Sequence, residues 1–397
     1  MKRAVAAGAV VLGLIDLGGL PAQVRDSAGI RIVDNRAPTW TAAQRWRVDP
    51  KPSLSIGLDE GDEPYLFSRV YSAIRLANGA IVVGNSGSSE LRLFTAAGKF
   101  IRVFGRRGAG PGEFSERSSL ILCILPGNDL LVVDYALRRA HTFSSNGQYK
   151  RTFSFQQEPG TSAPYLRSCF ADGTLLTNNV PIANIPNEPG KLLPGTMQYF
   201  RYGTDGRSLA RLAEVPDRTR YVHQHLGMTQ FPYVPFTPES MGAAAARVAY
   251  INYGGMAQVD RRALDGKLEA LIRWQAPRTR TSAIYDRYVA ANLPATNEQR
   301  RPADAAFYAL KLPIPDLVPV VGHMIVDAQD NLWAKRYQMP WDSIPTYEVF
   351  DSSGRWLGQV TTPARVDVYQ IGKDFLLGRH RDELGVERIR TYVLHRQ

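Results

Sequence analysis

Histidines spaced to share one face are the first candidates for chemistry in this 397-residue chain. His223 and His225 form a His-x-His pair, and on a strand alternate side chains point the same way, as a metal site needs. The pair lies in an aromatic stretch from Tyr221 to Phe236 that also holds Phe231 and Tyr233 and is stiffened by Pro232 and Pro235. The other histidines, His141, His323, His380 and His395, fall at no spacing that completes a ligand set, so no metal and no cofactor is assigned. An acidic group, Asp59, Glu60, Asp62 and Glu63, has the oxygen chemistry of a hard-cation site. Its counterpart at the second occurrence of the same motif carries Arg106 and Arg107, which favours a solvated loop. That motif, Gly105-Arg106-Arg107-Gly108-Ala109-Gly110-Pro111-Gly112-Glu113-Phe114, is glycine-rich but is no phosphate loop. No Lys-Ser or Lys-Thr follows Gly112, and the next element is not a helix.

The elements that must position these residues are strands. The glycine connector appears first at Gly57 to Phe67 and again at Gly105 to Phe114, with the same layout of glycines, a turn proline and an aromatic entering a new apolar run. Recurrence of a connector between similar units marks a repeat protein. After the first connector, Ala73 to Val83 reads as strand, Asn78-Gly79 turn, strand. Leu91 to Phe94 and Phe100 to Phe104 follow around a turn at Ala97-Gly98. The next unit repeats this from Leu120 to Phe155. Four short strands in about forty residues is the pattern of a β-propeller blade.

The strand ending at Asp134-Tyr135, the Arg-x-x-x-Phe strand from Arg139 to Phe143, the Ser-Asn-Gly turn and the Phe-Gly-x-x-Gly-x-Gly-Pro-Gly-Glu-Phe connector resemble the bacterial six-bladed propellers related to NHL-repeat proteins. The resemblance covers the first two blades and returns near the C-terminus. It implies an all-β, six-bladed propeller of four-stranded antiparallel blades. The group includes protein-binding and nucleic-acid-binding modules and a few lyases and hydrolases, so the fold selects no activity. Amidating lyases of this group use a histidine-bound metal with tyrosine and arginine, which makes His223 and His225 the place to look for one.

Taken in order, residues 1–22 read as an export signal: Lys2-Arg3, an apolar run from Ala4 to Ile15, and Leu20-Pro21-Ala22 as a cleavage site before Gln23. An uncleaved anchor is the alternative, but the run is shorter than the roughly 18 apolar residues of a spanning helix. No cysteine follows it to carry a lipid. Residues 23–45 read as a linker, disordered to about Gly29, and 46–397 as the propeller. Its last unit, Arg365 to Arg396, holds three strands. The stretch from Trp46 to Ile56 runs into the first connector, so it is expected to supply the missing outer strand and close the ring. Two insertions depart from the blade pattern, 218–238 and 277–315. The second carries helical patterns over Ser282 to Leu293 and Asn297 to Leu310.

Composition supports one large folded domain, since 44% hydrophobic and 21% charged residues exclude a disordered chain. The formal charge is +11, or about +10 without Lys2, Arg3 and Asp16. The arginines are scattered over every blade with no basic run, and export removes the chain from nucleic acid, so no nucleic-acid partner is expected. Two cysteines, Cys123 and Cys169, lie in the first strands of successive blades. Superposing the turns Asn128-Asp129 and Asp172-Gly173 on Asn78-Gly79 puts Cys123 beside Ala73 and Cys169 beside Arg75. Side chains two positions apart point the same way, which predicts two buried thiols and no disulfide.

Loops on one face of a propeller converge over its channel, so the Tyr221 to Phe236 stretch is expected either to line a ligand site through Tyr221, His223, His225, Phe231 and Tyr233 or to plug the channel and pack on the helical insertion. The sequence therefore reads as a secreted or periplasmic binding module for a protein, peptide or glycan, monomeric and with no membrane span after cleavage. The rival reading is a metal-dependent propeller lyase or hydrolase.

Overall fold

The structure, a computed structural model, describes residues 22–182 and 188–396. The signal segment therefore lies outside the described residues but for Ala22, as does part of the Pro- and Asn-rich loop of the third blade.

Six blades follow one another around a ring. Blade one is Val70–Arg75, Ile81–Asn85, Glu90–Phe94 and Phe100–Phe104. Blade two is Leu120–Ile124, Leu130–Asp134, Arg139–Phe143 and Tyr149–Ser154. Blade three is Tyr165–Cys169, Leu175–Asn179, Leu192–Tyr202 and Ser208–Tyr221, and blade four is Ser240–Ala244, Val248–Tyr253, Gln258–Ala263 and Leu268–Trp274. Blade five is Val321–Val326, Leu332–Arg336, Thr346–Phe350 and Trp356–Thr361. Blade six takes three strands from the C-terminus, Val366–Ile371, Phe375–Arg381 and Glu387–His395. Its outer edge is covered from the start of the chain: Arg47 pairs with His395, and Leu54–Ile56 pairs with Thr391, Arg390 and Ile389. Ring closure through the N-terminal strand is therefore observed, and it protects an edge that would otherwise offer its backbone for aggregation.

Period-2 alternation explains why the blades stack. On the second strand of blade one, Val82 faces blade two, packing with Leu120, Leu122 and Leu130, while Ile81 and Val83 face blade six, packing with Leu377 and Ile389. The second strands of blades one to four are buried on both faces over nearly their whole length, and equivalent apolar clusters fill the other four interfaces. Each fully buried aliphatic side chain contributes about 1.5–3 kcal/mol of transfer free energy, so the ring is held by its inter-blade layers.

The glycine connectors are packing devices. Gly105 sits at φ +72°, where an added Cβ would come within 2.3 Å of the Phe114 ring. Only glycine allows the connector to fold back so that Arg106–Arg107 pairs with Glu113–Phe114. In blades one and two the third residue of the third strand clamps the connector. In blade one this is Arg92, 1% exposed, which donates to the carbonyls of Glu63 and Leu66 and pairs with Glu63 and Glu90. In blade two it is His141, whose Nδ1 accepts from the Gly112 N–H at 3.3 Å. Glu63 of the acidic group thus holds a buried arginine.

Two expectations are overturned. Residues 23–29 are ordered: Gln23–Ser27 and Ile30–Asn35 form a hairpin whose second strand adds in parallel to Leu268–Trp274, giving blade four six strands. Asn35 is buried and joins two blades, donating to the carbonyls of Arg273 and Gly354 and accepting from the Trp356 N–H. Pairing with a strand more than 230 positions away leaves no local pattern to read. Secondly, Cys123 and Cys169 form a disulfide. In the three turns Leu76, Leu125 and Phe170 hold the same place, each accepting at its carbonyl from the third residue on and donating at its N–H to the fourth. Asn128, at φ +65°, therefore occupies the left-handed position of Gly79 and Gly173, one residue earlier than the superposition that predicts free thiols. Corrected by one, Cys123 matches Ile74 and Cys169 matches Arg75. Opposite parity turns the two sulfurs toward each other across one inter-blade interface.

Candidate functional site

All six inner strands start at one face of the ring, where the connectors from each outer strand arrive. Both insertions lie on that face. The first begins as regular structure: the third and fourth strands of blade three run past the blade as an arm, pairing Leu192 with Tyr221, and continue into a small hairpin of His223–His225 and Met228–Gln230. The second folds into two helices, α1 (Tyr285–Asn292) and α2 (Arg301–Tyr308), shorter than the helical patterns and beginning beyond Ser282 and Asn297.

Beneath these insertions the six inner strands enclose a central channel of about 600 Å³. Four inner strands carry a β-bulge at the channel. The extra residues are Tyr71 in blade one, Arg167 in blade three, Gly322 in blade five and Tyr369 in blade six. A bulge re-aims the side chain it adds, and all four bulge residues line the channel together with His323, Lys335, Asp367 and Glu239.

The charges there are unequal. Asp367 is paired with Arg379 at 2.5 Å and Glu239 with Arg218 at 3.7 Å. Among the described residues, Arg167 and Lys335 have no acidic partner. Arg167 faces Asn178, whose carboxamide oxygen, turned toward the guanidinium, accepts two hydrogen bonds at 3.1 Å. Burial lowers the Lys335 pKa against the pull of Asp367. His323 opens onto the channel but is enclosed by protein. Burial, then Lys335 and Arg167, push its pKa down to about 4, so it is neutral at pH 7.

The structure places the residues singled out in the aromatic stretch in different surroundings. Tyr221 and His223 pack against Phe307 of α2, with ring centroids 6.1 and 5.7 Å away. His223 is buried, its pKa lowered by burial and by His225, which stacks on it at 6.1 Å. No third His, Cys, Asp or Glu joins them in a metal-sized cluster among the described residues. Phe231 is half-buried. Tyr233 alone is exposed: Arg218 lies 3.9 Å over its ring, Arg220 donates to its hydroxyl at 2.9 Å, and it lines a second cavity of about 220 Å³ beside the channel. The packing alternative thus describes Tyr221 and His223, and the cavity-lining one describes Tyr233.

The channel residues carried one sequence signal. Tyr71, Arg167 and Tyr369 belong to inner strands that mix polar residues with apolar ones, but they come from separate blades and only ring closure assembles them.

A family described as six-bladed β-propellers matches residues 60–166. No curated protein matches the sequence. Solved structures of similar fold include a member of the DUF4221 family from Bacteroides vulgatus, 9% identical over 89% of this chain and 99% of that one, with a TM-score of 0.49. A virginiamycin B lyase from Staphylococcus aureus is 8% identical over 88% of this chain and 100% of that one (TM-score 0.40). A gluconolactonase from Xanthomonas campestris is 12% identical over the same shares (TM-score 0.43). At these identities the likeness concerns the fold alone. The chain is a six-bladed β-propeller.

Proposed function

We propose that this propeller is an exported binding module that receives a protein segment, peptide or glycan on the face carrying the insertions, with the central channel as the seat. The observation that supports it is the channel itself, into which bulges in separate blades aim Tyr71, Arg167 and Tyr369. Side chains that serve only packing need no such re-aiming. The N-terminal signal pattern and the Cys123–Cys169 bridge support an oxidising compartment, secreted or periplasmic. No helix among the described residues is long and apolar enough to cross a membrane.

Peptide and glycan arrays probed with the mature protein test the reading. Tyr71 is 41% exposed and outside the blade core, so Tyr71→Ala should leave the fold intact and weaken any captured ligand at least about tenfold. Capture that is indifferent to Tyr71→Ala would remove the channel from the binding site. The rival reading, a metal-dependent lyase or hydrolase at His223 and His225, has only a two-histidine pair to support it. Elemental analysis of the purified protein showing a stoichiometric metal would revive it.

A further inference from the structure

We infer that the channel receives the C-terminal carboxylate of a peptide with an apolar last residue, held by Arg167 and Lys335. The inference rests on the channel being the binding seat.

Charge points to an anion. The acids at the channel, Asp367 and Glu239, are each bound by an arginine, whereas Arg167 and Lys335 make no salt bridge among the described residues, although Asp367 is near enough to act on Lys335. Two cations facing one enclosed space repel each other in surroundings that solvate them poorly, and an entering carboxylate relieves both penalties. A planar guanidinium and an ammonium that line one channel and both act on His323 also suit a carboxylate, which can accept from both.

Hydrogen-bonding capacity narrows the class. Ser72 Oγ accepts from the Leu122 N–H at 3.3 Å and Ser168 Oγ from the Ala244 N–H at 2.8 Å, which leaves each hydroxyl proton to be donated into the channel. Two further polar groups are already bound. Gln370 is bound through both amide atoms to the backbone of Arg75, and the Tyr369 hydroxyl donates to the Val70 carbonyl. A sugar acid brings several hydroxyls and little apolar surface to set against the apolar part of these walls. A peptide end brings one carboxylate, one amide N–H and an apolar side chain. The neutral ring of His323, which makes no hydrogen bond among the described residues, can accept that N–H. Leu122, Met241, Met324 and Val368 add apolar, buried surface to the wall. About 600 Å³ accommodates one or two residues.

The probes are N-acetyl-L-leucine, its uncharged amide and D-galacturonate, titrated calorimetrically into the mature protein at low ionic strength. N-acetyl-L-leucine should bind, with the amide at least about tenfold weaker, as expected for a lost charge-assisted hydrogen bond. Arg167→Gln and Lys335→Gln should each weaken it by a similar factor while melting within a few degrees of the wild type. Lys335→Gln serves as the check should Arg167→Gln disturb Asn178. Equal binding of acid and amide, full affinity in folded variants, or no binding of the acid overturns the inference. Tighter binding of galacturonate moves the site to sugar acids and overturns the peptide assignment. If an array ligand depends on Tyr71 while N-acetyl-L-leucine does not bind, the channel remains the seat and only the carboxylate inference falls. If no array ligand depends on Tyr71, the channel reading itself falls.

Discussion

Replacing Cys123 and Cys169 together by alanine perturbs a single covalent link between the inner strands of blades two and three. The bridge spans a sequence separation of 46 residues, which includes the three outer strands of blade two and the connector to blade three. Closing a loop of that length in the unfolded chain removes conformational entropy equivalent to about 4 kcal/mol at room temperature. The folded ring loses little else, because the surrounding cluster of Leu131, Val133, Leu166 and Leu175 remains. Two measurements check this. Thiol titration in denaturant without reductant should find no reactive thiol, and two after reduction. Denaturant unfolding of the double variant should then show a midpoint lowered by an amount equivalent to several kcal/mol, up to about 4. Two reactive thiols before reduction would refute the bridge and the one-residue shift of the turn alignment from which its geometry follows. A double variant as stable as the oxidised wild type would refute the loop-entropy argument.

Deleting residues 23–57 should leave Glu387–His395 as an open edge and strip the added hairpin from blade four, giving an aggregating product; a deletion variant that stays monomeric and melts like the undeleted chain would refute closure. His141 is fully buried, accepts from Gly112, and lies 2.7 Å from the Thr152 hydroxyl at the same Nδ1. Burial, then Arg139, brings its pKa from 6.5 down to about 4. Between those values the unfolded chain binds a proton that the folded chain refuses, so its stabilising contribution is complete above about pH 6.5 and is lost progressively as pH falls toward 4, by about 3 kcal/mol. Unfolding measured across that range should flatten in His141→Gln, and an unchanged slope would refute the assignment. Tyr221→Ala with His223→Ala should cost about 2–3 kcal/mol in denaturant unfolding by stripping the packing on Phe307, whereas exposed Tyr233→Ala should change stability by no more than about 0.5 kcal/mol.

The blades were legible because their signals are local. Asn78-Gly79, Asn146-Gly147 and Ser353-Gly354 are turn pairs whose glycines take positive φ, and the alternation of Ile81, Val82 and Val83 needs only neighbouring residues to be recognised. Closure was legible because a three-strand unit and a strand before the first connector are complementary. The disulfide was misread by one residue, since Asn128 takes a left-handed conformation usually marked by glycine. His223 and His225 drew attention through their spacing, but what that spacing produces was decided by Phe307, about eighty residues away.

By itself the sequence determined the repeat, the blade count, the ring closure and the face on which the insertions lie, because each follows from alternation, turn chemistry and chain order. Tertiary structure alone decided the contents of the channel. Tyr71, Arg167, His323, Lys335 and Tyr369 come from four different blades, and each bulge depends on the register of a strand with its partner. Tertiary structure also decided the parallel addition of Ile30–Asn35 to blade four and the pairing of Cys123 with Cys169. These contacts join residues from 46 to more than 230 positions apart, and a contact of that range leaves no periodicity in the chain on either side of it.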